Sequence, residues 1–373
     1  GHVRRVLPRV RRARRCRCID SRIREWFGWG LKMEMNPIKY LLCIPHGGLN
    51  DMLCQIEMCL KYCKRHDRTL VLDTSFSGLR DDFLKYFTFD DNCKVKVEAW
   101  DNIRDTMEGK STFPEGLQSN LGNYVATNRK GFVYVHPESG QTLTFDFSSP
   151  YDHDVLVPES LGGGINSYWL LQYLIPMDWL QEKLKSKLGD LPGDFVAVHI
   201  RNTDLATDYR AFMASIDWAL KNQAFLLCTD SGVVQNEILN DPRYAGRALV
   251  LSSLDPLSQK RLHDEDTTDE SANITLFSDF VAMSLAKNVY FTFTQEGRVS
   301  GFSGLAFAAC ASTFSDRLAS LLGLERPERS WGLCVHGKGM ARYFRNQAAL
   351  ITLKKVIRVI LFSRERLLKG RIL

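Results

Sequence analysis

The feature that most constrains this chain is a series of short, unbroken apolar runs that each end in polar residues. The clearest is Phe195-Val196-Ala197-Val198, preceded by Pro192 and Gly193 and followed by His199-Ile200-Arg201-Asn202-Thr203-Asp204. Such a run reads as a strand buried on both faces, the type found in parallel sheets. The polar cluster then falls at the strand's C-terminal end, where open α/β sheets place their ligand crevice. Arginine grips phosphate through a planar fork of donors that keeps its charge, so this segment is a candidate nucleotide or nucleotide-sugar site. A single histidine ending a strand is more often a hydrogen-bonded structural residue. Its spacing to Arg201 and Asp204 is what points further.

The same pattern recurs along the chain. Tyr40-Leu41-Leu42-Cys43-Ile44 ends at Pro45-His46-Gly47-Gly48, and Leu49-Asn50-Asp51 then opens a helix. Leu49, Met52, Leu53, Ile56, Leu60 and Cys63 give that helix a 3.6-residue stripe, with Asn50 or Asp51 as its cap. It runs out near Arg65-His66-Asp67, and Thr69 to Asp73 supplies the next strand. Glycines at such a turn let backbone approach a ligand, and a helix start offers unpaired N–H groups to an anion. Further on, Asp208 follows Asp204 closely, a helix includes Ile216 to Leu220, and Ala224 to Asp230 is a strand with a polar end. Leu249-Val250-Leu251 is a strand, Leu276 to Lys287 a helix containing Asp279, and Val289 to Phe293 a further strand. A polar loop from Thr294 to Gly304 leads to a small-residue helix from Leu305. Alternation of this kind predicts parallel sheets with covered faces, in two α/β halves whose strand ends meet at a cleft. Residues 74–165 read as the variable part of the first half, with a short strand at Phe132 to Val135, and Gly162-Gly163-Gly164 as a mobile loop.

The length of 373 residues suits a basic leader (1–35), two α/β domains (36–190 and 191–330) and a C-terminal tail (331–373). The net charge of +6 is uneven: ten arginines and one lysine crowd residues 1–32 against Asp20 and Glu25, leaving the body slightly acidic. That argues against a nucleic-acid surface spread over the fold. The leader lacks the apolar core of a signal peptide and reads as a disordered tail or as sequence upstream of a start at Met33 or Met35. No apolar stretch reaches the roughly 18 residues of a transmembrane helix. The ten cysteines include no CxxC pair, and Cys43, Cys54, Cys59, Cys228 and Cys310 fall in apolar segments, which points to a reducing compartment, the cytoplasm, and against zinc. Asp152-His153-Asp154 and Asp264-Glu265-Asp266 match the metal-binding Asp-x-Asp pattern, but neither follows a buried strand, so no metal is expected. Residues 350–373 form a basic amphipathic pattern that either lies on anionic lipid, as a peripheral attachment, or packs back on the fold.

Four segments carry a resemblance. His199-x-Arg201-x-Thr203-Asp204 is similar to the His-x-Arg-Arg-Thr-Asp segment of the α1,6-fucosyltransferase and protein O-fucosyltransferase superfamily, and the α1,2-fucosyltransferases carry a related His-x-Arg. Gly47-Gly48-Leu49-Asn50 resembles that superfamily's N-terminal glycine loop, and Leu227-Cys228-Thr229-Asp230 its Ala-Thr-Asp strand end. Asp279-Phe280-x-x-Met283-Ser284 with Phe291-Thr292-Phe293-Thr294 looks like its last nucleotide-binding element. The resemblance is distant and covers most of residues 40–310. It implies a GT-B-like fold of two Rossmann-like domains and an inverting, metal-independent transfer of fucose from GDP-fucose to a glycan, a lipid-linked one being suited to a membrane-surface enzyme. It implies that Arg201 holds the β-phosphate, that His199 and Asp279 contact guanosine, and that Thr294 and Ser303, with backbone N–H groups of the 294–304 loop, line the phosphates. Gly47, Gly48 and Asn50 would close from the other domain, Asp204 and Asp230 would belong to the donor site, and Asp208 would be the general base.

The chain departs from the pattern at Asn202, where the family has a second arginine, and at Leu205, where it has lysine. Arg298 stands where it could replace the lost charge. These changes keep open another donor sugar, or a nucleotide-sugar-binding protein without catalysis. A nucleic-acid binder acting through the leader is the reading from a different class.

Overall fold

The computed structural model describes residues 37–114, 125–127, 133–140, 142–143, 145–158, 162–164, 167–204, 206–256, 270–294, 297, 299–325 and 327. The described residues from Ile38 onward belong to one compact unit. The leader, Asp264, Asp266, Arg298, Leu205 and the segment 331–373 lie outside the described residues, and with them the expectations placed there.

The first half contains β1 (Tyr40–Cys43), α1 (Leu49–His66), β2 (Thr69–Leu72), β3 (Phe87–Phe89), β4 (Val97–Ala99), α2 (Trp100–Ile103) and β5 (Thr112–Phe113). It continues through β6 (Val125–Thr127), β7 (Val133–Val135), β8 (Thr142–Leu143), β9 (Val155–Leu156), α3 (Ser167–Leu171), β10 (Leu174–Pro176) and α4 (Asp178–Leu188). Its main sheet is parallel, in the order β4-β2-β1-β9-β5. The short β6, β7 and β8 pair antiparallel, as do β3 and β10. The apolar stripe of α1 is buried as its period requires, and the helix stops at Asp67, whose left-handed backbone (φ 50°) returns its N–H to the Cys63 carbonyl.

The second half contains β11 (Phe195–Ile200), α5 (Tyr209–Leu220), β12 (Ala224–Thr229), α6 (Gly232–Leu239), β13 (Ala248–Leu249), α7 (Glu270–Leu285), β14 (Val289–Phe291), α8 (Gly301–Cys310) and α9 (Thr313–Leu322). Its sheet is parallel throughout, in the order β13-β12-β11-β14. Every residue of β11 is buried. Alternate side chains serve two layers: Val196, Val198 and Ile200 pack with α5 and α6, whereas Phe195 and Ala197 join the layer of α7, α8 and α9.

That second layer is shared. One buried cluster runs from Leu41, Leu70 and Leu72 of the first sheet through α1, α3 and α4 to α7, α8, α9 and the inner face of the second sheet. Polar contacts lock the same seam. Asn273 Nδ2 donates to the Leu79 carbonyl (3.0 Å) and to Tyr86 Oη (3.1 Å). Arg317 pairs with Asp90 at 3.4 Å and donates to the carbonyls of Leu171, Gln172 and Leu174. Two sheets thus lie on either side of residue 190, joined through one core.

All seven described cysteines (Cys43, Cys54, Cys59, Cys63, Cys93, Cys228 and Cys310) are buried free thiols. No helix among the described residues is long and apolar enough to cross a membrane.

Candidate donor site

The parallel register sets the C-terminal ends of β11, β12 and β14 side by side, with His199 opposite Cys228 and Phe291. Beyond β11 the chain turns through residues 201–204, and Asp230, just past β12, organises that turn. Its Oδ1 accepts the Asn202 N–H (2.8 Å), and its Oδ2 accepts the Thr203 hydroxyl (2.6 Å) and lies 3.0 Å from Arg201 Nε. Arg201 Nε also donates to Asp204 Oδ1 at 2.8 Å. The Arg201 N–H donates to Thr292 Oγ1 (3.2 Å), and its carbonyl accepts the Thr207 hydroxyl (2.9 Å). The guanidinium is therefore held by its Nε edge between two carboxylates. None of its four terminal N–H donors is bonded to a described residue, which leaves them able to meet an anion.

His199 is buried, with Nδ1 2.7 Å from Ser303 Oγ and the Phe302 ring centroid 5.3 Å away. Burial holds its pKa down at about 4, so the imidazole is neutral at pH 7. On the same sheet face, Asp279 of α7 meets the Cys228 thiol. Burial pushes the Asp279 carboxyl up to about 7, against the opposing pull of Lys187 and the Cys228 S–H. A carboxyl poised there gains charge readily when a ligand offers it hydrogen-bond donors.

Ser303 was expected in a polar loop reaching Gly304. Instead α8 begins at Gly301 and Ser303 lies in its first turn. The loop is shorter because Phe293 pairs with Val299 and the Gly297 N–H closes on the Thr294 carbonyl (2.8 Å). Gly301, read in sequence as a loop residue, instead suits tight helix packing. A Cβ on Gly301 would stand 2.7 Å from Asn50 Nδ2. This contact brings the first half's glycine turn against the start of α8.

In that turn Gly47 has φ +83°, a backbone that only glycine adopts without strain. Gly48 is the residue before α1, and neither Asn50 nor Asp51 caps the helix. Asn50 is buried and faces across the seam: its Nδ2 donates to the Gly164 carbonyl (3.2 Å), and its Oδ1 accepts the Ser167 hydroxyl (2.7 Å). Gln55, unnoticed in the sequence, braces the turn by accepting the His46 N–H (3.1 Å) and donating to the His46 carbonyl (2.9 Å). It also reaches the Gly162 carbonyl at 3.5 Å. The glycine segment expected to be a mobile loop is thus fastened to α1 at both Gly162 and Gly164. Asparagine and glutamine satisfy backbone groups of distant segments here, and nothing in local spacing announces that.

Thr294 pairs with Thr207 across an isolated bridge, which places residues 207–208 beside the end of β14. Asp208 is exposed and caps α5, its Oδ1 accepting the Ala211 N–H at 3.0 Å. Of the two Asp-x-Asp patterns, the described one is occupied by local contacts. Asp154 accepts the Ser111 N–H and hydroxyl, and Asp152 lies 3.7 Å from Lys39. No cluster of three or more His, Cys, Asp or Glu able to hold a metal occurs among the described residues. A cavity of about 480 Å³ opens elsewhere, between β3 and β4, and none of the candidate donor residues lines it.

No protein-family model matches this sequence, and no curated protein matches it by sequence similarity. Solved structures do. The NodZ α1,6-fucosyltransferase soaked with GDP-fucose superposes with a TM-score of 0.50 at 14% identity, over 73% of this chain and 92% of that one. The fucosyltransferase NodZ from Bradyrhizobium gives 0.49 at 14% identity, over 72% and 92%. POFUT1 in complex with GDP-fucose gives 0.44 at 14% identity, over 73% and 94%. At such identity the likeness is one of fold alone. The chain has the two-sheet α/β fold of the GT-B type that the NodZ fucosyltransferase displays.

Proposed function

We propose that this protein is a glycosyltransferase that takes its sugar from a GDP-sugar, fucose from GDP-fucose, and transfers it with inversion to a glycan hydroxyl. The observation that carries the reading is Arg201, clamped by its Nε edge at the end of a buried parallel strand with its terminal donors to spare. His199 and Asp279 line the adjoining sheet face, and the Gly47-Gly48 turn abuts the neighbouring helix start. The GDP and GDP-fucose complexes of proteins with this fold support the choice of donor.

In this reaction the acceptor oxygen attacks the anomeric carbon as the bond from that carbon to the β-phosphate oxygen breaks. The bonding pair leaves with GDP. Arg201 stabilises the charge that develops on the diphosphate, where other enzymes use a metal ion. Neutral His199 and the Asp279 carboxylate recognise the nucleoside, Asp279 accepting from guanine N–H groups. Asp208 takes the hydroxyl proton. Two carboxylates flank Arg201, so a diphosphate also needs other donors: Thr294, Ser303, Arg298 and the backbone N–H groups opening α1 and α8.

The engagement of Asp208 as a helix cap favours a second reading, nucleotide-sugar binding without transfer. A thermal-shift panel of GDP, UDP, CMP and ADP, with and without EDTA, separates these readings when followed by GDP-fucose turnover. A ligand at ~100 times its dissociation constant stabilises by about 2.7 kcal/mol. A shift with GDP alone, unchanged by EDTA, supports the donor assignment. Turnover then distinguishes enzyme from binding protein, and silence from all four nucleotides overturns both.

A further inference from the structure

The loop after β2 inverts the usual partition of side chains. Thr74 and Ser77 are each 2% exposed, whereas Phe76 between them is 61% exposed, more than any other large hydrophobic residue among those described. Slack in the loop does not explain this. Thr74 Oγ1 donates to the Asp81 carbonyl (2.5 Å) and accepts the Phe83 N–H (2.9 Å). Ser77 Oγ donates to the Thr74 carbonyl (2.7 Å) and accepts the Leu79 N–H (3.1 Å). Asp73 Oδ1 accepts both the N–H and the hydroxyl of Ser75. A rigid frame therefore holds an aromatic ring in water, where it gains little from its own chain.

The frame is tied to the candidate site. Ser77 pairs with Gly47, and the Gly78 N–H donates to the Gly47 carbonyl at 2.7 Å. The Phe76 ring lies 6.2 Å from the half-buried His46 ring. Phe76 thus stands at the C-terminal edge of the first sheet, beside the turn that abuts α8.

We propose that Phe76 is the stacking platform of a carbohydrate subsite that receives a pyranose ring of the acceptor. A pyranose presents an apolar face of C–H groups, which the negative face of an aromatic ring attracts, while its hydroxyls project around the edge. His46 beside the ring, with Asp73 and Ser75 in the same loop, offers polar groups of the kind such an edge requires. The proposal rests on the glycosyltransferase reading for the role of the bound sugar, and its binding test is independent of donor chemistry.

Saturation-transfer NMR with chitotetraose, cellotetraose and maltotetraose is the experiment. At least one of these should receive saturation on its ring C–H protons, with affinity falling about 3- to 10-fold in Phe76→Ala and returning in Phe76→Trp. Trp218→Ala removes a comparably exposed aromatic (56%) on α5 and should change nothing. Absence of saturation from all three sugars, unchanged affinity in Phe76→Ala, or an equal loss in Trp218→Ala would overturn the proposal. A GDP thermal shift on the same samples reads the donor assignment separately, so either idea can fail while the other stands.

Discussion

The two strand-end regions that meet in this fold are built from different materials. At the end of β1 the chain offers backbone: Gly47 in a left-handed conformation, Gly48 before α1, and neutral Asn50 and Gln55 as braces. At the end of β11 it offers charge: Arg201 between Asp204 and Asp230, with the turn's N–H and hydroxyl groups bound to the same carboxylate. Backbone donors permit close approach and shape, and they respond weakly to what happens chemically. A half-buried guanidinium responds to charge as it develops. The comparison teaches that losses on the charged side should appear in rate, and losses on the glycine side in affinity and stability.

Arg201→Ala tests the charged side most severely. Steady-state kinetics with GDP-fucose should show a loss of about 10³-fold or more in kcat. The fold should survive, since Asp230 keeps Asn202 and Thr203, and circular dichroism checks this. Arg201→Lys should not restore activity, because an ammonium cannot be held by one edge while donating from two others. Asp208→Asn comes next, with about 10²- to 10⁴-fold expected in turnover. Asparagine caps a helix as well as aspartate does, so α5 and GDP binding should be unaffected. Unchanged turnover would strike Asp208 from the mechanism and leave it a cap.

On the glycine side, Gly47→Ala forces a Cβ to about 3.0 Å from Asp51 Oδ2 in a backbone of φ +83°. Denaturant unfolding should show a loss of about 1–2 kcal/mol, with weaker donor binding and kcat changed far less than in Arg201→Ala. If the two variants lose kcat equally, the division of labour is wrong. The smallest expected effect concerns Asp279. Its folded pKa of about 7 exceeds the unfolded value near 3.8, so the folded state binds more protons between those limits and stability falls as pH rises through them. Asp279→Asn should remove that slope, on the order of 1–2 kcal/mol after allowing for partial solvation. Under the proposed donor assignment, GDP affinity of the wild type should rise as pH passes 7, because guanine would take the ionised carboxylate as its acceptor. Calorimetry of both proteins across that range checks it.

Much of this was legible along the chain. The apolar runs ending at Ile44, Val198 and Cys228 became buried parallel strands, and the period of Leu49 to Cys63 became the buried face of α1. Residues with one strong local preference kept it. Others were misread because their partners are far away in sequence: Asn50 is a brace to residues 164 and 167, not a cap. The residues from Gly301 to Gly304 open a helix, where the close approach of Gly301 to Asn50 of α1 outweighs glycine's tendency to form loops. Antiparallel β6, β7 and β8 were anticipated only at one strand, since two- and three-residue strands carry too little periodicity to register.

Local sequence, then, determined the parallel strands, the helix faces, and the placing of His199, Arg201 and Asp230 at strand ends. These follow from burial and from the direction in which the chain must run. Tertiary structure alone decided that Asp230 binds Arg201 by its Nε edge, that His199 meets Ser303, and that one core joins the two sheets. It also decided that Phe76 is held outward while Thr74 and Ser77 are buried. Each of these is a hydrogen bond or packing choice between segments brought together only by the fold, and local propensity carries no information about such pairs.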